Sequence, residues 1–141
     1  AAWSNSLNCS AWIVPGTASG DPLFNDLPWT PDVLQFHEDE VGFLPPTAVL
    51  LASSPKCANQ AFRVGDRAYG VQFHIETTPE VVLSWAAGYP EVVEGVRPGV
   101  LDPVRLTEGH EDIREVWQPF AERFVRLAAG ELTIHRSLPL V

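Results

Sequence analysis

Methionine is absent from all 141 residues, including position 1, and only two cysteines are present. The missing start residue predicts that the sequence is processed or excerpted and that something upstream has been lost. So few cysteines indicate a reduced protein rather than a disulfide scaffold, and we predict a cytoplasmic location. The first twelve residues contain no basic segment followed by an apolar core, so we do not expect them to form a signal peptide.

Basic side chains are scarce. There are 9 Lys and Arg against 18 Asp and Glu, which gives a net charge of −9 at pH 7. Such a charge repels phosphate backbones, so we expect no nucleic-acid partner. No apolar run approaches the length of a membrane span, and no membrane partner is predicted. With 45% apolar and 19% charged residues, the 141-residue chain is typical of one globular protein with a core.

Nucleotide-binding loops are also missing, because neither GxGxxG nor GxxxxGK occurs. Five residues have side-chain nitrogen or oxygen atoms of the kind that bind metal ions, namely His37, Glu38, Asp39, His74 and Glu76. A metal site is the weaker of the possible interpretations of these residues. No second histidine stands at helical spacing and no CxxC occurs, so we predict no metal and no other cofactor. The remaining histidines, His110 and His135, sit among polar residues and are predicted to be solvated.

The stretch from residue 60 to residue 80 has the most regular pattern in the chain. Two apolar runs, 60–64 and 68–73, flank Gly65-Asp66-Arg67, which predicts a β-hairpin. A helix over residues 79–87 follows, with Thr78 as its N-cap and proline at its first position. Further strands are predicted over residues 33–37 and 49–52, with a short one within residues 11–14.

His74 and Glu76 end the second run of the hairpin. Residues two apart on a strand share a face, so the carboxylate can orient the imidazole while the other ring nitrogen serves a nucleophile. Without further context, a histidine that hydrogen-bonds a nearby acid at a strand end is an equally ordinary explanation. The pair alone therefore leaves a catalytic and a structural interpretation open.

An ordered set of motifs extends around this pair. It comprises residues 21–24, 35–41, 52–54, Cys57, 60–63, Gly65 and 69–74. Together they resemble the class I glutamine amidotransferases, and in particular the amidotransferase unit of GMP synthase, over roughly residues 21–87. The resemblance implies an α/β fold, part of a flavodoxin-like open sheet with a β-hairpin and C-terminal helices.

The resemblance also implies a chemistry, the release of ammonia from the side-chain amide of glutamine. His74 would act as general acid and base and Glu76 as its orienting carboxylate, completing a triad with a cysteine. Substrate-binding residues would be Phe36, Glu38 and Asp39, at a turn where the family commonly has glycine in place of Glu38. A synthase that consumes the ammonia is the implied partner.

The nucleophile of that family is missing, because no G-x-C-x-G elbow occurs and neither Cys9 nor Cys57 has one around it. We therefore predict the C-terminal part of an amidotransferase, inactive alone or completed by another polypeptide. The alternative is a non-catalytic remnant that serves as a binding or regulatory module. A bare sheet face would favour a homodimer in either case.

Four segments are predicted along the chain. Residues 1–20 are an irregular lead, 21–87 the amidotransferase-like domain, 88–107 a loop or linker, and 108–141 a C-terminal helical segment packing on the same domain. The last segment has apolar residues at three- and four-residue spacing up to about residue 129, which predicts an amphipathic helix. Pro119 lies within it and predicts a kink or a break.

Overall fold

A computed structural model describes residues 9–37, 39–93 and 98–132, apart from the side chains of residues 9, 10, 91 and 92. Its strands are β1 (Cys9–Ser10), β2 (Trp12–Ile13), β3 (Asp32–Val33), β4 (Ala48–Ser53), β5 (Ala61–Val64) and β6 (Ala68–Val71). Its helices are α1 (Pro15–Ala18), α2 (Pro79–Gly88), α3 (Pro90–Val93) and α4 (Pro103–Ala128).

The described strands form a four-stranded sheet in the order β2-β4-β5-β6 and a separate β1-β3 pair. Every pairing between them is antiparallel. The predicted α/β class, the β-hairpin and the C-terminal helical region are thus confirmed. The short lead strand is present as β2, whose Ile13 pairs with Ala52, and β1 adds a contact between Cys9 and Val33.

In the hairpin, β5 and β6 pair across the predicted turn, with Ala61 opposite Val71 and Val64 opposite Ala68. Its turn requires a left-handed backbone at Gly65, where φ is 63°. A side chain there would place Cβ close to the following carbonyl oxygen. The turn glycine therefore fixes the register of the strand that leads to His74.

Gly65→Ala is expected to lower the free energy of unfolding by about 1 kcal/mol, because alanine must adopt the left-handed conformation. Urea denaturation monitored by circular dichroism measures the change. Gly42→Ala is the matched control, since φ at Gly42 is not positive and its added methyl would meet nothing within 4 Å. Equal effects of the two substitutions would contradict the assigned turn.

The core lies between the sheet and α4. Trp117 is only 2% exposed and its ring centroid lies 5.1 Å from that of Phe73, while Phe120 meets Phe24 edge-on at 5.2 Å. The indole Nε1 of Trp117 donates to the main-chain oxygen of Asp32 at 2.9 Å. The helix is therefore attached both to β3 and to the residue that precedes His74.

α4 begins five residues before the predicted start. The Asp102 carboxylate accepts from the backbone N–H groups of Val104 and Arg105, and Pro103 takes the first helical position. The helix continues unbroken through Pro119, so a break there is wrong. Pro119 has no N–H to donate to the carbonyl oxygen of Glu115, one turn earlier. Both residues are exposed, so water can hydrogen-bond to that oxygen.

The predicted strand over residues 33–37 is shorter than expected, because regular pairing in β3 ends at Val33. Leu34 then forms an isolated antiparallel bridge with His74. Across the described residues, no helix combines the length and the apolar character needed to cross a bilayer.

Candidate active site

The backbone of His74 is held by one strand-like contact. Its N–H donates to the oxygen of Leu34 at 2.8 Å, and the N–H of Leu34 donates to the oxygen of His74 at 3.1 Å. Leu34 is buried in a small apolar cluster with Val82 of α2 and Leu106 of α4. His74 therefore lies shortly after β6, beside the apolar cluster in which Leu34 packs against α2 and α4.

The imidazole of His74 and the carboxylate of Glu76 are in direct contact, with 2.7 Å between Nδ1 and Oε1. The second carboxylate oxygen accepts from the backbone N–H of Ile75 at 2.9 Å. The contact assigns the proton on Nδ1 to the Glu76 hydrogen bond. Nε2 has no hydrogen-bond partner among residues 9–37, 39–93 and 98–132, and the side chain of His74 is 29% exposed.

Partial burial alone would raise the pKa of Glu76. The hydrogen bonds from His74 and from the backbone at Glu76 and Ile75, with the His74 charge, outweigh burial and lower that pKa below its ordinary value of 4.5. The carboxylate thus stays ionised under ordinary conditions and can stabilise a positive charge on His74.

Glu76 should make a small contribution to stability that depends on pH. Since its pKa is lower in the folded state, the contribution is present above pH 4.5, the unfolded value, and is lost as pH falls through the folded one. The side chain is 65% exposed, so we expect only a few tenths of a kcal/mol. Urea titrations of the wild type and E76Q at pH 6 and pH 3 measure it. A wild-type advantage that is as large at pH 3 would contradict the contact.

Aromatic rings form one wall beside His74. The Trp85 ring of α2 lies 5.2 Å from the His74 ring, edge-on, and 5.0 Å from Phe36, nearly stacked. The Tyr89 ring lies edge-on to Phe36, with 6.2 Å between ring centroids, and Tyr89 is half exposed. The structure therefore brings Phe36, one of the predicted substrate-binding residues, to the same site as His74.

The acidic run over residues 38–40, here called the acidic turn, contacts its surroundings through the main-chain oxygen of Asp39. Its carbonyl oxygen accepts from Nδ1 of His37 at 2.8 Å and from Nε2 of Gln72 at 3.1 Å. Gln72 lies two residues before His74, so the turn is held against the segment that carries the histidine. The side chain of Asp39 is exposed, whereas Glu38 lies outside the described residues.

Cys57 is a buried thiol, 3% exposed, in a tight loop. Burial raises its pKa; a hydrogen bond with the backbone of Asn59 lowers it in part, and the charge of Glu40 raises it again. A protonated, buried thiol is a poor nucleophile, and no G-x-C-x-G elbow surrounds this one. The backbone of Cys9 lies in β1, but its side chain is outside the part of the chain that the structure describes.

Within the described ranges, no three His, Cys, Asp or Glu side chains are grouped so that they could hold a metal ion. His37 and His74 each make the contacts given above instead. His110, predicted to be solvated, is half-buried: Nδ1 contacts the oxygen of Leu106 at 2.7 Å and Nε2 contacts the Thr77 hydroxyl at 3.2 Å. That prediction was wrong. His135 lies outside the described residues.

A cleft of about 540 Å³ lies between α4 and the segment that follows His74. One side of it is formed by Ile75, Glu76 and Thr77, and the other by helix residues that include His110 and Trp117. No local sequence pattern indicates that Trp85 and His110 lie beside the site, because both residues also fit an ordinary helix pattern.

The chain is similar to known proteins in sequence and in fold. Over 108 residues, the chain is 30% identical to gamma-glutamyl peptidase 3 of Arabidopsis thaliana. A crystal structure of a glutamine amidotransferase from Thermotoga maritima is 27% identical and superposes with a TM-score of 0.63 over 88% of this chain. The chain is class I glutamine amidotransferase-like. A glutamine amidotransferase structure from Methylobacillus flagellatus, 23% identical with a TM-score of 0.64 over 94% of the chain, agrees in fold.

The amidotransferase-like chain spans only part of these proteins. It covers 41% of the Arabidopsis peptidase, 51% of the Thermotoga structure and 55% of the Methylobacillus structure. No protein-family model matches it.

Proposed function

We propose that this chain supplies the histidine and the carboxylate of a thiol-dependent site that hydrolyses the side-chain amide of glutamine. The observation that carries the proposal is the 2.7 Å contact between His74 Nδ1 and Glu76 Oε1, with Nε2 left without a described partner. That arrangement is what a proton-transferring histidine beside a cysteine requires. The sequence similarity to a gamma-glutamyl peptidase and an amidotransferase supports it.

The chemistry follows from these two side chains. Nε2 of His74 takes the proton of a cysteine thiol, and the thiolate attacks the amide carbon of glutamine. The C–N bond breaks as Nε2–H returns the proton to the leaving nitrogen, which departs as ammonia. Nε2 of His74 then takes a proton from water, and the resulting hydroxide hydrolyses the thioester to glutamate. The cysteine sulfur leaves and recovers its proton from His74, which regenerates the thiol.

Phe36 and the acidic turn are the proposed substrate side of the site. Phe36 and Trp85 offer an apolar wall for the methylene groups of glutamine, and Asp39 lies in the turn, where its own main-chain oxygen accepts from Gln72. Glu38 belongs to the same proposal from sequence alone. No cofactor takes part in this scheme.

The thiol is proposed to come from another polypeptide or from a longer form of the chain, since the G-x-C-x-G elbow does not occur in these 141 residues. The chain is accordingly proposed to be inactive by itself. A synthase that uses the ammonia is the proposed partner, in the cytoplasm, and a homodimer remains a prediction.

Ammonia released from glutamine tests the proposal in two arms. The chain alone should release none, and the chain mixed with a polypeptide that carries the G-x-C-x-G elbow should release it only while His74 is intact. Release that is indifferent to H74A would remove His74 from the mechanism. If no elbow-bearing polypeptide restores release, and no elbow is encoded upstream, the chain is instead a non-catalytic binding module.

A further inference from the structure

The segment that carries Glu76 is weakly held by its own backbone. Among the described residues, no backbone–backbone hydrogen bond involves Ile75, Glu76 or Thr77. The main-chain N–H groups of Ile75 and Glu76 instead contact the Glu76 side chain itself. The direction of the Glu76 carboxylate must therefore be set by side chains that anchor the segment from outside.

Two residues of α4 provide such anchors, and they bracket the pair. Trp117 packs against Phe73, directly before His74, with ring centroids 5.1 Å apart. His110 meets the hydroxyl of Thr77, directly after Glu76, with 3.2 Å between Nε2 and Oγ1. α4 thus contacts both ends of the five-residue run from Phe73 to Thr77.

The ring of His110 is itself set by the helix. Its Nδ1 lies 2.7 Å from the main-chain oxygen of Leu106, one turn earlier, and an N–H must point at that oxygen. In the neutral ring, Nε2 is then the acceptor for the Thr77 hydroxyl. Leu106 is buried at 5% exposure, so this support is rigid.

Packing cannot replace the Thr77 hydrogen bond, because the cleft of about 540 Å³ lies between α4 and this segment. Segments beside an open cleft have room to shift when a single contact is lost. The remaining anchors are the packing of Ile75 against the core and of Trp117 against Phe73, and both act on residues that precede Glu76.

We propose that His110 and Thr77 are positioning residues that hold the Glu76 carboxylate against His74. The role in catalysis rests on the proposed function above, whereas the positioning itself does not. Neither residue touches the reacting atoms. Both act by fixing the direction of the main chain at Glu76.

Exchange of the His74 Nδ1 proton with water, followed by nuclear magnetic resonance of the intact chain, tests the proposal. Thr77→Val keeps the branched shape and removes the hydroxyl, and it should speed exchange about fivefold, as loss of one hydrogen bond would. Thr77→Ser restores the hydroxyl and should restore slow exchange. His110→Ala should match Thr77→Val.

Arg114→Ala is the matched control, because Arg114 is exposed, lines the same cleft and pairs with no described residue. It should leave the exchange rate unchanged. Thermal melts of each variant establish that it is folded. Unchanged exchange in folded Thr77→Val, or fast exchange in Thr77→Ser, would overturn the proposal. Failure of ammonia release would contradict the proposed function without altering this readout.

Discussion

Replacing Asp21 with alanine is expected to lower the free energy of unfolding by about 3–5 kcal/mol, as removal of one partner from a buried ion pair does. The Asp21 carboxylate is 1% exposed and accepts from the backbone of Leu23 and Phe24 at 3.0 and 3.3 Å. Its other oxygen lies 2.8 Å from Nε of Arg63, which is 15% exposed and would be left without its counter-charge.

Urea denaturation measures this loss, and Asp26→Ala is its matched control. Asp26 is 69% exposed and lies 3.7 Å from Arg123, so its removal should cost less than about 1 kcal/mol. A second readout is Tyr69, whose hydroxyl contacts Asp21. Burial, the Asp21 charge and this hydrogen bond raise the pKa of Tyr69, and Asp21→Ala should lower it part of the way back. Equal costs at positions 21 and 26 would contradict this assignment.

In an assembly that contains the nucleophilic thiol, His74→Ala is expected to lower kcat for glutamine hydrolysis by about four to six orders of magnitude. In the proposed mechanism, His74 carries the proton both from the thiol and to the leaving nitrogen, so no other group replaces it. Glu76→Ala should lower kcat about a hundredfold less than His74→Ala does, because the proposed role of the carboxylate is to orient and stabilise the ring without touching substrate.

Arg67→Ala provides the control for both substitutions. Arg67 lies exposed in the turn of the hairpin, outside the proposed site, and its replacement should leave kcat unchanged. Ammonia release under saturating glutamine is the measurement. A His74→Ala enzyme with more than about a tenth of wild-type kcat would be incompatible with proton transfer by this residue.

Local patterns were enough to predict the pair and its supports along the chain. The hairpin, the Thr78-capped helix and the shared face of His74 and Glu76 each depend on residues within a few positions of one another. The structure has the hairpin and α2 within a residue or two of their predicted bounds. The 2.7 Å contact joins residues that lie beyond the end of β6 at Val71, so it does not depend on regular strand alternation.

The surroundings of the pair depend on contacts that are distant in sequence, and these were not predictable from local patterns. The Thr77–His110 hydrogen bond joins residues 33 apart, and the Asp21–Arg63 bond joins residues 42 apart. His110 has polar neighbours in the sequence, which favours a solvated side chain. Only the packing of α4 on the sheet brings it to Thr77.

Helix α4 shows how a local signal can be outweighed. Pro119 predicts a kink or a break, yet the helix is continuous. Buried Trp117 and Phe120 on either side of the proline attach the helix to the core, and their burial offsets the loss of one hydrogen bond. Its start at Pro103 was missed because apolar periodicity is weak in the first turn.

The ring nitrogens of His74 give the most direct test of the account. Nitrogen-15 chemical shifts of the neutral ring distinguish a proton on Nδ1 from one on Nε2. The account predicts the Nδ1–H form in the wild type, held by Glu76, and a shift toward Nε2–H in Glu76→Ala. A wild-type ring protonated on Nε2, or one whose tautomer is unaffected by removal of the carboxylate, would contradict it.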